Sequence, residues 1–73
     1  MSKADKMFED LGLWLERENT VYFEVKNDED KVIQINKERK EIACFNYYDG
    51  FERITLEELK AINEKVKELG WEK

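Results

Sequence analysis

Residues 21–36 read VYFEVKNDEDKVIQIN, and this stretch predicts a β-hairpin. Two runs rich in valine, isoleucine and aromatic residues flank a polar cluster, which is the pattern of two strands joined by a turn. Because side chains alternate between the two faces of a strand, the length of the turn decides which residues share a face. A three-residue turn, Asp28-Glu29-Asp30, brings the apolar rows together. Its register forms two apolar pairs: Val25 with Ile33 and Phe23 with Ile35.

Further strands are predicted on both sides of this hairpin. Before it, a three-residue loop over Glu18-Asn19-Thr20 pairs Leu15 with Phe23, so that the apolar residues of the first strand join the same face. The predicted strands are Leu13–Arg17, Val21–Lys26, Lys31–Asn36 and Glu41–Tyr48.

The facing of the last strand is ambiguous. Ile42 and Cys44 point to one side, whereas Ala43, Phe45 and Tyr47 point to the other, and either set is apolar enough to be buried. We expect Ala43 and Phe45 to face the core, because Phe45 is the bulkier side chain. A three-residue turn then joins this strand to the previous one.

A helix is predicted before the strands, over about Lys3–Leu11. Ser2 is a suitable N-cap. Gly12 can supply the left-handed conformation that ends a helix, with Leu13 folding back onto Phe8. An apolar stripe with helical spacing consists of Ala4, Met7, Phe8 and Leu11.

The strongest helix signal follows the strands. Thr55 and Glu58 form a capping box, and Ile54 can contact Leu59 across it. Gly70 marks the end of the helix, where Trp71 is expected to anchor onto Val66. The face expected to be buried consists of Leu56, Leu59, Ile62, Val66 and Leu69.

These elements predict an α+β fold with the order α-β-β-β-β-α, in one domain over residues 1–73. The strands form a four-stranded antiparallel meander, and the N-terminal and C-terminal helices pack on one face of it. Nothing covers the other face, so large apolar residues there indicate self-association or a protein partner. The candidate interaction residues are Trp14, Tyr22, Val32, Ile42 and Cys44. Because Glu16, Glu24 and Gln34 interrupt them, an exposed amphipathic sheet is the alternative.

Composition excludes several function classes. The 73 residues include 13 Lys and Arg, 18 Asp and Glu, one Cys and no His, with a net charge of −5. Without His, the chain holds no His-centred catalytic triad or imidazole metal site. One Cys allows neither an internal disulfide nor a cysteine zinc site. We therefore expect no enzyme activity, no metal, no cofactor and no small-molecule substrate. With no apolar membrane segment or signal-like N-terminus, a cytoplasmic location is expected.

Two segments resemble a known group of sequences. They are residues 4–9, ADKMFE, with Leu11-Gly12, and residues 54–71, ITLEELKAINEKVKELGW. Both resemble small uncharacterised phage and prophage proteins of Gram-positive bacteria. The matching parts lie near the two ends of the chain and leave the strands out. The resemblance implies a viral or prophage origin, with no known activity, cofactor or catalytic residue.

The leading hypothesis is a non-enzymatic phage or prophage accessory protein that acts by binding protein, either a host protein or a second copy. The alternative is a nucleic-acid-binding module that uses Tyr47, Tyr48 and the basic turn Lys37–Lys40, since stacking aromatics and cations together bind single strands. The overall acidic charge argues against this alternative. The acidic excess lies in residues 1–30, where a surface of carboxylates could imitate a nucleic-acid backbone.

Overall fold

A computed structural model describes residues 2–50 and 52–71, and it confirms the predicted α+β fold. The predicted domain over 1–73 also includes Met1, Phe51, Glu72 and Lys73, which lie outside the described residues. In chain order the elements are α1 (Lys3–Asp10), β1 (Trp14–Glu18), β2 (Tyr22–Lys26), β3 (Lys31–Asn36), β4 (Glu41–Asn46) and α2 (Leu56–Glu68). The strands form one antiparallel sheet in the order β1-β2-β3-β4.

The central hairpin, β2–β3, has the predicted register. Val25 lies opposite Ile33 and Phe23 opposite Ile35. Asp30 closes the three-residue turn in the left-handed conformation, with φ of 65°. The turn is tightened by the Asn27 side chain, whose Oδ1 accepts from the backbone N–H groups of Glu29 and Lys31. Residues Asp28, Glu29 and Asp30 therefore form the predicted hairpin turn.

The predicted pairing of β1 with β2 is wrong in register. Leu15 lies opposite Val25 rather than Phe23, and a bulge between Leu15 and Arg17 shifts the rest of the strand. The loop is also shorter than expected. Asn19 N–H donates to the Tyr22 carbonyl at 2.9 Å, so these two residues pair and only Thr20 and Val21 lie between them. The bulge inserts one residue, so Leu15 still shares a face with Val25 although the turn has a different length.

The predicted facing of β4 is wrong as well. A four-residue turn, 37–40, joins β3 to β4 and sets Ile33 opposite Cys44 and Ile35 opposite Ile42. Asn36 supports this longer turn, since its side chain accepts from the N–H groups of Glu38 and Arg39. One additional turn residue reverses the parity of the strand, so Ala43 and Phe45 face away from the helices.

Both helix ends follow the predicted capping chemistry. Ser2 Oγ accepts from Asp5 N–H, and the Thr55–Glu58 capping box is complete. Gly12 and Gly70 have φ of 81° and 76°. After α1, Leu13 N–H donates to the Phe8 carbonyl at 2.9 Å. After α2, Trp71 N–H donates to the Val66 carbonyl at 3.2 Å, so both helices end in a Schellman motif.

The predicted buried face of α2 is only partly correct. Ile62 is buried, and Val66 and Leu69 pack against the core, but Leu56 and Leu59 are 62% and 43% exposed. In their place the helix buries Glu58, Ala61 and Lys65. The helix is thus rotated relative to the prediction. Apolar spacing alone did not indicate this rotation, because two of the buried residues, Glu58 and Lys65, are charged and form ion pairs. The core between helices and sheet consists of Phe8, Leu13, Phe23, Val25, Ile33, Ile35, Ala61 and Ile62.

Candidate interaction surface

The side of the sheet that faces away from both helices is called the outer face here. Cross-strand pairing assigns residues to it, because residues directly opposite each other share a face. Its main members are Trp14, Arg17, Tyr22, Glu24, Lys26, Val32, Gln34, Ala43, Phe45 and Tyr47. None of them belongs to the core between helices and sheet.

A hydrogen-bonded group around Glu24 forms the centre of the outer face. Glu24 is 5% exposed, and its carboxylate accepts from Arg17 Nη2 at 2.9 Å and from Gln34 Nε2. The Arg17 guanidinium also lies 4.3 Å from the centroid of the Tyr22 ring. One charge-assisted hydrogen bond and a cation–π contact together hold the guanidinium in one orientation. This part of the outer face is therefore preorganised.

An aromatic pair flanks this group. The rings of Phe45 and Tyr47 contact each other edge to face, with centroids 5.8 Å apart. Lys26 Nζ lies 5.8 Å from the Tyr47 ring and 3.3 Å from Asp30 Oδ1. The hydrogen bond to Asp30 raises the pKa of Lys26, so the amine stays charged beside the ring.

A shallow groove of about 480 Å³ separates the two groups. Its lining combines the hydrogen-bonded side chains on one side with the aromatic pair on the other. The lining residues are Glu16, Arg17, Glu24, Gln34, Phe45 and Tyr47.

Three of the five predicted interaction residues lie on the outer face, and two lie on the helix side of the sheet. Trp14, 45% exposed, and Tyr22, half-buried, lie on the outer face as expected. Val32 lies there too, but it has no exposed surface, so a partner has no access to it. Ile42 and Cys44 lie on the helix side, because β4 has the opposite parity to the predicted one.

Sequence reasoning missed four residues of the outer face: Arg17, Ala43, Phe45 and Tyr47. Arg17 reaches it through the bulge in β1, for which the sequence carries no clear signal. Phe45 and Tyr47 follow from the four-residue turn. Asn36, directly before Lys37-Glu38-Arg39-Lys40, is a sequence signal for this longer turn, since asparagine favours turns that its own side chain can close.

Cys44 has the surroundings of a structural thiol. It packs against the core, and its Sγ contacts the Arg53 carbonyl at 3.8 Å. Burial raises the pKa of the Cys44 thiol, and the charge of Lys31 only partly opposes this effect. The protonated form is therefore favoured, which makes Cys44 a poor nucleophile.

The components of the alternative nucleic-acid site lie far apart. Tyr47 and Tyr48 follow the end of β4, whereas the Lys37–Lys40 turn precedes its start. The six residues of β4 separate them by about 20 Å. Lys37 is also engaged, since its Nζ donates to the Asn19 carbonyl at 2.8 Å and lies 3.2 Å from Glu18 Oε2. The fold thus separates Tyr47 and Tyr48 from the cations of the Lys37–Lys40 turn.

Several acidic residues of the first thirty are paired with cations. Asp5 lies 3.2 Å from Lys65 Nζ. Ion pairs also join Glu18 to Lys37, Glu24 to Arg17, and Asp30 to Lys26. These carboxylates stabilise the fold and are not arranged as a row of free charges.

Across residues 2–50 and 52–71, no three His, Cys, Asp or Glu side chains lie close enough together to hold a metal ion. In the same ranges, no helix has the length and apolar character needed to span a membrane.

Comparisons of the chain with protein families, with curated proteins and with solved structures gave no match.

Proposed function

We propose that this protein works without catalysis, by binding another protein through the outer face of its sheet. The observation that carries the proposal is the concentration of Trp14, Arg17, Tyr22 and Tyr47 on a face that neither helix covers. Tryptophan, tyrosine and arginine are the residues that most often dominate the binding energy of protein interfaces.

The state of these side chains supports the proposal further. Trp14 and Tyr47 are 45% and 57% exposed, so each has apolar area left for a partner to bury. Arg17 is already held by Glu24 and Tyr22, so it loses little side-chain entropy on binding. The exposed aromatic side chains therefore offer apolar area for a partner to bury, and the fixed Arg17 guanidinium defines the orientation in which the partner binds.

The biological setting we propose is that of a phage or prophage accessory protein that meets a host protein in the cytoplasm. The support is the resemblance of residues 4–9 and 54–71 to small phage and prophage proteins, together with the uncovered outer face.

The test is affinity capture from a Gram-positive host lysate with immobilised wild-type protein, Trp14→Glu and Leu56→Glu. Leu56 is a matched control, because it is an apolar residue on the helix side with 62% exposure. We expect the same host protein with wild type and Leu56→Glu, and at least about tenfold less with Trp14→Glu. Equal capture by all three proteins, or no specific capture, contradicts the proposal.

A further inference from the structure

The groove of the outer face contains a carboxylate whose hydrogen-bonding capacity is only partly used. Glu24 is 5% exposed, and the bonds from Arg17 Nη2 and Gln34 Nε2 both end on its Oε2. Its Oε1 accepts no hydrogen bond from a described residue. Since no buried side-chain oxygen in residues 2–50 and 52–71 lacks a partner, Oε1 retains contact with solvent. Glu24 lines the groove, so a nearly buried carboxylate offers one acceptor there.

The charged side chains at the groove carry a net negative charge. Glu16, Arg17 and Glu24 line it. Arg17 is already paired with Glu24. Lys26, which lies beside the aromatic pair, is paired with Asp30. Glu16 is exposed and forms no ion pair with the described residues, so one further cation would neutralise the groove.

The cations of the outer face are each held by a carboxylate and an aromatic ring together. Arg17 contacts the carboxylate of Glu24 and the ring of Tyr22, and the lysine beside the aromatic pair has the corresponding contacts. Both groups attract the same cation, because the face of an aromatic ring is electronegative. Glu16 and Phe45 bring these two groups to the groove once more, and neither contacts a cation of the described residues.

We propose that the groove binds an arginine side chain of the partner protein. The guanidinium donates to Glu24 Oε1, lies beside Glu16 and stacks on the ring of Phe45. Arginine suits this site better than lysine, because its planar group stacks on rings and presents five donors at once. The inference rests on the proposed function, since it specifies the chemistry of the partner for the same surface.

A second depression on the outer face indicates that the arginine belongs to a chain segment. It has a volume of about 420 Å³, shares Gln34 with the groove and continues to Asn36 and Glu41. Ala43 also lines it, and this small side chain leaves room above the sheet. The residues next to the arginine can follow this depression, whereas an isolated guanidinium compound would occupy the groove alone.

An NMR titration of ¹⁵N-labelled protein at low ionic strength tests the inference. The probe is the blocked pentapeptide Gly-Ala-Arg-Ala-Gly, and two comparison peptides carry citrulline or lysine in place of the arginine. Citrulline has the shape of arginine without its charge. With the arginine peptide we expect saturable shifts of the amide resonances of Gln34, Ala43 and Phe45. Each comparison peptide is expected to bind at least about threefold more weakly.

Substitutions in the groove locate the site. Glu16→Gln is expected to weaken binding of the arginine peptide by about two- to fivefold, as for an exposed charge pair. Glu9→Gln is the matched control, because Glu9 is an exposed carboxylate on α1 and the net charge changes equally. Phe45→Leu stays apolar but removes the ring, and it is expected to weaken binding by a similar factor. Circular dichroism verifies that each variant is folded.

The inference is overturned if the arginine peptide does not bind saturably, or if the citrulline or lysine peptide binds equally well. Equal losses in Glu16→Gln and Glu9→Gln also overturn it. Capture from the host lysate separates this failure from that of the proposed function. A host protein that is lost with Trp14→Glu but captured in full by Glu16→Gln overturns the arginine site alone, whereas no specific capture overturns the proposed function.

Discussion

At the scale of the residue, buried polar side chains help to select one packing of the helices on the sheet. Glu24, Lys31, Glu58 and Lys65 are all at most 9% exposed. Among the described residues, no buried side-chain nitrogen or oxygen lacks a hydrogen-bond partner. An unpaired buried group costs about 1–3 kcal/mol, so complete pairing is required for such groups to be tolerated. The pairs therefore select one arrangement of helices and sheet.

Cys44 provides a prediction at this scale. Since the raised pKa favours the protonated thiol and only the thiolate is a nucleophile, Cys44 is expected to react with iodoacetamide more slowly than a free cysteine at mildly alkaline pH. The rate, followed by mass spectrometry, is expected to keep rising with pH above the ordinary thiol pKa, where the rate of free cysteine has levelled off. In denaturant the same thiol reacts at the rate of free cysteine. A folded protein that reacts as fast as free cysteine contradicts the assignment.

At the scale of the element, α2 shows that apolar spacing and burial can differ. The predicted face and the observed one share Ile62, Val66 and Leu69 but differ by the exposure of Leu56 and Leu59. Lys65 explains part of the difference, because its Nζ bonds Asp5 Oδ1 at 3.2 Å and lies 4.2 Å from the Phe23 ring. The long aliphatic stem of a lysine can fill space in a core while its amine meets a carboxylate.

Two truncations in α2 test whether the observed buried face, rather than the predicted one, packs against the core. Ile62→Ala is expected to lower the free energy of unfolding by about 2–5 kcal/mol, since it opens a cavity in the core. Leu59→Ala is expected to cost less than about 1 kcal/mol, because the side chain is 43% exposed. Urea denaturation followed by circular dichroism measures both. Equal costs for the two variants contradict the observed rotation of the helix.

At the scale of the whole molecule, ionic contacts connect elements that are distant in the chain. Lys31 Nζ, at the start of β3, lies 2.7 Å from Glu58 Oε1 in the first turn of α2. At the other end of α2, Glu68 Oε2 accepts from Ala4 N–H at 2.9 Å and so completes the N-terminus of α1. The C-terminal helix is thereby fixed to the sheet at one end and to α1 at the other.

Lys31→Met tests the connection between α2 and the sheet. It keeps the aliphatic stem but leaves the buried Glu58 carboxylate without its cation. We expect a loss of about 3 kcal/mol in the free energy of unfolding, as for other buried pairs from which one partner is removed. Adding Glu58→Gln removes the uncompensated charge, so the double variant is expected to recover part of that loss. A Lys31→Met protein as stable as wild type contradicts the role of the pair.

Local signals were sufficient for the fold class and for much of the detail. The capping residues, the glycines after both helices and the Asp28–Asp30 turn act over three to six neighbouring residues, so the sequence predicts them directly. The outer face was predicted less well. Trp14 and Tyr22 were placed on it correctly, whereas Ile42 and Cys44 were not, because an error of one turn residue moves a whole strand to the other face.

The sequence by itself determined the α-β-β-β-β-α order, both helix ends and the register of the central hairpin, because each depends on interactions between near neighbours. Only the tertiary structure decided the bulge in β1, the facing of β4 and the rotation of α2. The rotation of α2 depends on partners far apart in the chain, such as Lys31 with Glu58 and Asp5 with Lys65. Such contacts leave no periodic trace in the sequence, and they select among packings that have nearly the same apolar pattern.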